Sequence, residues 1–136
     1  MNLSLKPPDP FVIFLDRSLG KQVIATTLRS SGFQVEVHDD HFSTDAKDQE
    51  WLTDVGREGW VVLTKDKKIK YRKVELAAVI AAHAKVFTLS AGSLQGSEMA
   101  DIFIKAIPKI KAYVEANIPP YIVRISKAGL LSTVYP

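Results

Sequence analysis

Asp16, Asp48 and Asp66 are the residues of this sequence whose placement reads most directly as chemistry. Asp16 follows immediately on the apolar run Phe11-Val12-Ile13-Phe14-Leu15. A carboxylate behind five buried residues is costly unless something pairs with it. Asp66 comes two residues after a second such run, Trp60-Val61-Val62-Leu63-Thr64. Asp48 stands three and four residues before Trp51 and Leu52, so on a helix it shares their inward face, one turn nearer the start. Three carboxylates cannot share a small site while ionised unless a cation is present. The 136 residues include no cysteine, which excludes a disulfide scaffold and any thiolate metal site. An oxygen-only donor set favours a hard ion, Mg²⁺ or Mn²⁺. Such an ion polarises a phosphoryl oxygen, lowers the pKa of a bound water and steadies a leaving oxyanion, so the chemistry indicated is phosphate chemistry.

The residues around the three aspartates fit that reading. Lys65, Lys67, Lys68, Lys70, Arg72 and Lys73 fall within nine residues and begin at the loop that carries Asp66. They can hold a phosphate backbone through salt-sensitive contacts blind to base sequence; the alternative is an ordinary solvated helix start. The formal net charge of +3 conceals a separation. Residues 1–35 carry +2, residues 36–58 carry −6 and residues 59–136 carry +7. Asp39 and Asp40 lie in a polar turn where aspartate is common for local hydrogen bonding, although Asp40 also stands as a further metal ligand. Asp45 reads as a helix cap or as a ligand. His38 and His41 bracket Asp39 and Asp40, so zinc there is conceivable, but no other ligand has the spacing. His83 reads as a dipole or packing residue at a helix end. Ser, His and Asp are too scattered for a hydrolase triad, and no glycine-rich phosphate loop occurs.

The elements that must position these groups follow from periodicity. Residues 11–15 and 60–64 read as strands buried on both faces, residues 33–38 as a strand with one wetter face, and residues 85–89 as a fourth strand. Between them, helices are expected over 18–31 (Ser18 as cap, Gly32 as stop), from Thr44 or Asp45 to about Glu58 with Gly59 as stop, and over 74–83. A long helix from about 97 to 116 carries Met99, Ile102, Phe103, Ala106, Ile107, Ile110 and Val114 on one stripe, and Pro108 is expected to kink or divide it. Residues 121–125 and 130–134 flank Lys127-Ala128-Gly129, as in a hairpin. Fourfold alternation of strand and helix predicts an α/β fold, a three-layer α/β/α sandwich on a mainly parallel sheet of four to five strands with a C-terminal hairpin. In such sheets ligands bind outside the carboxyl ends of the strands, the edge to which Asp16, Asp39, Asp40 and Asp66 all belong and where the acidic helix begins.

Three segments of this sequence resemble the PIN-domain ribonucleases, and in particular the PIN-like, VapC-like toxins of bacterial and archaeal toxin–antitoxin pairs. They are Phe14-Leu15-Asp16, Lys47-Asp48-Gln49-Glu50-Trp51-Leu52, and Val62-Leu63-Thr64-Lys65-Asp66-Lys67-Lys68-Ile69. The resemblance covers roughly residues 11–90. It implies a metal-dependent ribonuclease site in which Asp16, Asp48 and Asp66 bind the metal and Thr64 supplies a supporting hydroxyl. It also implies an RNA substrate, a cognate antitoxin protein as partner, and a homodimer. Two departures stand out. Arg17 replaces the asparagine or small polar residue that commonly follows the first aspartate, and Lys67, Lys68 and Lys70 occupy the stretch where a fourth acid often follows the third.

The expectation is therefore a Mg²⁺- or Mn²⁺-dependent ribonuclease, toxin of a type II toxin–antitoxin system, with Arg17 and the basic 65–73 run holding RNA. A catalytically weak or inactive PIN-like module that binds RNA or protein is the rival, supported by the missing fourth acid. A third reading is a phosphate enzyme of small substrates with Asp16 as nucleophile, which leaves the basic run without an extended ligand. At 46% hydrophobic and 24% charged the chain is not disordered, and it has no apolar run of about 18 residues. Lys6, two prolines and the short 11–15 run are too little for a secretory leader, so a single cytoplasmic domain over 1–136 is expected.

Overall fold

A computed structural model describes residues 10–20 and 22–136 of the chain; Lys6 and the prolines beside it lie outside them. Its elements in order are β1 (Val12–Leu15), α1 (Val23–Ser30), β2 (Gln34–Val37), α2 (His38–His41), α3 (Asp48–Glu58), β3 (Val61–Thr64), α4 (Lys73–Ala81), β4 (Lys85–Ser90), α5 (Gly96–Ala116), β5 (Tyr121–Ser126) and β6 (Leu131–Tyr135). Two short 3₁₀ turns, Arg17–Leu19 and Ile69–Tyr71, follow β1 and β3.

Among the described residues the strands form one six-stranded sheet in the order β2-β1-β3-β4-β5-β6. All neighbours are parallel except the final pair, in which β6 returns antiparallel on β5. The four alternating strands and the terminal hairpin thus share one sheet. The hairpin turns at Lys127-Ala128-Gly129, where the Gly129 N–H bonds back to the Ser126 carbonyl at 2.8 Å.

Apolar runs become strands here because both faces are covered. Ile13 and Leu15 point to one side, where Leu28 of α1 and Phe103, Ala106 and Ile110 of α5 meet them. Phe14 points to the other, against Trp51, Leu52 and Val55 of α3 and Val79 of α4. Phe14, Leu15, Val62 and Leu63 are all fully buried, each contributing on the order of 2 kcal/mol through removal from water. The alternation read in β2 is also present, with Val35 and Val37 buried and Gln34 exposed.

Several expected boundaries move, for local reasons. Helix α1 starts at Val23 rather than near Ser18, because Gly20 takes a left-handed φ of 74° that no continuing helix allows, and Ser18 is drawn to Asp16 instead. Helix α3 starts at Asp48, so neither Thr44 nor Asp45 caps it; Asp45 bonds with Ser43. The polar stretch after β2 contains a single helical turn, α2, which periodicity could not show in four residues. Helix α5 runs through Pro108 as one element. Its stripe of Met99, Ile102, Phe103, Ala106, Ile107 and Ile110 is buried while Pro108 is exposed, so the missing backbone bond falls on the wet side. His83 sits past the end of α4 with φ 53°, the left-handed position usually given to glycine, its N–H bonding the Ile80 carbonyl at 3.3 Å.

Candidate functional site

The sheet order reverses between β1 and β3, since the chain leaves β1 for one flank and leaves β3 for the other. A crevice opens at such a switch point, at the carboxyl ends of the strands. Asp16 sits in it. Its backbone N–H bonds the Leu63 carbonyl at 3.2 Å, which locks it to β3. Its carboxylate accepts from the Ser18 backbone at 2.6 Å, from the Ser18 hydroxyl, and from Thr64 Oγ1 at 2.5 Å. Only 6% of Asp16 is exposed, and that burial pushes its pKa up; the hydrogen bonds from Ser18 and Thr64 oppose this and the charge of Asp48 adds to it. Thr64 also accepts the Asp66 backbone N–H at 3.0 Å, so one buried hydroxyl ties the first acid to the loop of the third.

Asp48, Asp66 and Glu75 form the tightest acidic grouping among the described residues, with one oxygen from each lying within 4.8 Å of the others. Asp48 opens α3 at the crevice and is oriented by Trp51 Nε1, which donates to its Oδ1 at 2.9 Å across one helical turn. Asp66 folds its own loop, accepting the Lys68 backbone N–H on Oδ1 at 2.9 Å. Glu75 lies in the first turn of α4 and is 8% exposed. Its pKa is pushed up to about 7, first by burial and then by the hydrogen bond it shares with Asp48; the charge of Arg72 opposes this, and those of Asp48 and Asp66 add to it.

Glu75 is the acid that sequence reasoning passed over. It is the lone acid of an alanine-rich helix and resembles solvent decoration. Yet the spacing rule that turns Asp48 inward applies to it unchanged: Ala78 and Val79, three and four residues on, are both buried. A further acid thus stands nine residues after Asp66, brought beside it by α4 starting at the same edge.

The remaining candidates divide. Asp16, Arg17, Asp45, Asp48 and Asp66 line one open cleft of about 560 Å³, together with Lys47. Asp45 is exposed and its carboxyl is held below the usual range by the Ser43 hydroxyl. Asp40 is exposed in α2 and does not line the cleft. Lys65, Lys67, Lys68, Lys70 and Lys73 are all exposed, and none of them lines this cleft. Arg72 differs from them. Its Nη1 donates to Asp66 Oδ2 at 2.6 Å and reaches Glu75 Oε1 at 3.4 Å, so the guanidinium is turned into the acids and is held firmly protonated by Asp66. The two histidines do not converge: the buried His38 pairs with Asp39 at 3.1 Å and His41 with Glu36 at 2.8 Å.

The donor set suits a hard cation. Ligands on opposite sides of a Mg²⁺ ion stand about 4.2 Å apart, so three carboxylate oxygens spaced within 4.8 Å can close on one with small side-chain movements. Burial and the hydrogen bond with Asp48 hold the Glu75 carboxyl above its ordinary range, and a divalent ion bound at the three acids would favour its ionised form.

Comparison with known proteins agrees with this geometry. Residues 11–91 match the family model of a PIN like domain. A relative from Mycobacterium tuberculosis (strain ATCC 25618 / H37Rv), named "Putative ribonuclease VapC45", is 26% identical over 102 residues, covering 72% of this chain and 74% of its own. No solved structure gives a significant match.

Proposed function

This chain belongs to the PIN like domain family, and on that footing we propose that it is a divalent-metal-dependent ribonuclease. The observation that carries the proposal is the convergence of Asp48, Asp66 and Glu75, from α3, the loop after β3, and α4, on one point beside the buried Asp16. These three would hold Mg²⁺ or Mn²⁺. The ion, when bound, supplies Lewis-acid polarisation of a phosphoryl oxygen and a water of lowered pKa. The chain's own residues do the rest. Trp51 holds Asp48 in its rotamer, the Lys68 N–H holds Asp66, and Thr64 with Ser18 holds Asp16 facing the cleft. Asp16 is placed to accept a proton or orient a water on the β1 side of the cleft. Arg17, Lys47, Lys65, Lys67 and Lys68 present exposed cations for the backbone phosphates on either side of the bond to be cut.

The motif resemblance further supports the toxin of a type II toxin–antitoxin pair, with RNA as substrate, a cognate antitoxin as protein partner, and a cytoplasmic place of action where RNA is met. No helix of the described residues is long and apolar enough to cross a membrane.

A second reading, a catalytically weak module that binds RNA or protein, draws on Arg72, whose guanidinium already engages two of the three proposed ligands. One experiment separates them. Cleavage of a mixed RNA by the purified chain with Mn²⁺ is compared with that of Asp66→Asn and Glu75→Gln, alongside Mn²⁺ titration by calorimetry. The ribonuclease reading expects cleavage and Mn²⁺ uptake in the unaltered chain, and loss of both by at least about tenfold in each variant. RNA left intact together with no Mn²⁺ uptake overturns the ribonuclease reading and favours the binding module.

A further inference from the structure

Beside the acid cleft, and sharing Asp66 with it, lies a second groove of about 240 Å³ lined by Lys67, Lys70, Tyr71, Thr88, Ile122 and Arg124. It exists because of where α4 begins. On this face of the sheet α3 and α4 cover Val62, Val86 and Ile122, but α4 starts only at Lys73, so the carboxyl ends of β4 and β5 are met by the 66–71 loop, which leaves a groove between them. The side chains change there. Along β4 the face passes from Val86 to Thr88 and Ser90, and along β5 from the buried Ile122 to the exposed Arg124, which is in register with Thr88. Arg124 is the one charged residue of a strand whose Tyr121, Ile122, Val123 and Ile125 are all buried.

The groove is fixed to the acid site. Thr88 Oγ1 donates to the Asp66 backbone carbonyl at 2.9 Å, so the floor of the groove holds the acid-bearing loop. On the loop side the Lys68 N–H binds the Asp66 carboxylate, the Tyr71 N–H binds the Lys68 carbonyl at 2.9 Å, and Ile69 is 2% exposed and anchored in the core. Tyr71 is thereby held at a set position from Asp66 while remaining 76% exposed. A single exposed aromatic residue is ordinary on a protein surface. This one stands at the rim of a groove, with Lys70 Nζ 5.8 Å from its ring centroid and Lys67 and Arg124 lining the same groove. An aromatic face with cations around it matches the two parts of a nucleotide, a π-surfaced base and an anionic phosphate.

We propose that this groove is a nucleobase subsite. Tyr71 stacks against the base of a nucleotide adjoining the phosphodiester held at the acids, and Arg124 and Lys67 engage the phosphate beyond it. The inference rests on RNA being the substrate and adds to it the residues that grip a base.

Fluorescence of a single-stranded RNA oligonucleotide carrying one 2-aminopurine, with phosphorothioate linkages to slow cleavage, tests this with the full chain in Mn²⁺. Stacking on Tyr71 is expected to quench the probe on binding. Tyr71→Ala is expected to abolish the quench and weaken binding roughly tenfold, while Tyr71→Trp retains both. An oligonucleotide with an abasic position in place of the probe should bind the unaltered chain and Tyr71→Ala equally. Equal quenching in the unaltered chain and Tyr71→Ala overturns the subsite alone. So does equal weakening of the abasic RNA, which assigns Tyr71 to the backbone or to structure. No RNA binding by the unaltered chain overturns the subsite together with the ribonuclease reading.

Discussion

At the scale of single residues, Glu75 has the clearest measurable consequence. Its folded-state pKa of about 7 lies above the ordinary 4.5, so between those values the folded chain holds a proton that the unfolded chain has lost. Stability must then fall as pH rises through that window, with no contribution below about 4.5 and the full penalty above about 7. Asp16, also raised, acts in the same direction. Glu75→Gln removes the penalty from this position. In metal-free buffer its melting temperature minus that of the unaltered chain is expected to grow from pH 5 to pH 7 and then level off, by roughly a few degrees. A difference constant across that range would show that Glu75 is not strained by its neighbours. The same residue shows why the site was only partly legible. Asp16, Asp48 and Asp66 announce themselves by standing at strand ends or ahead of an aromatic stripe, and all three line the cleft. Glu75 is hidden among alanines, and Arg72 reads as one more cation of a basic run until folding turns it back onto Asp66 and Glu75.

Helices α3 and α4 bring two of the three clustered acids together, and their contact has no slack. Gly56 of α3 faces the segment just after α4. A Cβ there would stand 2.6 Å from Ala82 Cβ and 2.9 Å from the Ala82 carbonyl, closer than atoms tolerate. Helix propensity alone favours alanine over glycine by up to about 1 kcal/mol. The overlap acts against it by about 1–3 kcal/mol, partly through backbone that cannot swing aside. Gly56→Ala is therefore expected to lower stability on balance and to separate α3 from α4, weakening Mn²⁺ binding although it touches no ligand. Thermal melting and Mn²⁺ titration check both effects; a more stable variant with unchanged affinity would mean the helices adjust freely. Periodicity found these helices and the α5 stripe, because each buries a face of several turns, and Gly59 marked the stop of α3. It missed the single turn α2 and the late start of α1. Those features are decided by one or two residues whose partners come from elsewhere in the fold, as Ser18 is claimed by Asp16.

For the molecule as a whole, the modest net charge of +3 is less informative than its arrangement. The parallel sheet gathers the carboxyl ends of β1, β3 and β4 along one edge, so Asp45 and Asp48 of the acidic 36–58 segment meet Asp66, near the start of the basic 65–73 run, at one cleft. An anionic polymer approaching this edge meets exposed Arg17 and Lys47 on a recess whose acids repel it until a divalent ion neutralises them, with the exposed lysines of the 65–73 run flanking Asp66 in the chain. RNA binding should then depend on two solution variables in opposite senses. Added monovalent salt weakens it, because each phosphate held by a lysine or arginine releases counterions. With about four such contacts the slope of log affinity against log salt is near −3, or on the order of 50-fold between 50 and 200 mM. Added Mn²⁺ at constant ionic strength strengthens binding, because it removes repulsion at the centre of the footprint. Lys67→Ala together with Lys68→Ala is expected to flatten the salt slope by about 1.5 while leaving the Mn²⁺ response in place. Filter binding of an oligonucleotide with phosphorothioate linkages across a salt series, with and without Mn²⁺, measures both. A salt slope near zero would remove the basic run from the RNA interface. A Mn²⁺ response lost along with the lysines would mean that acids and bases do not act as separate parts of one edge.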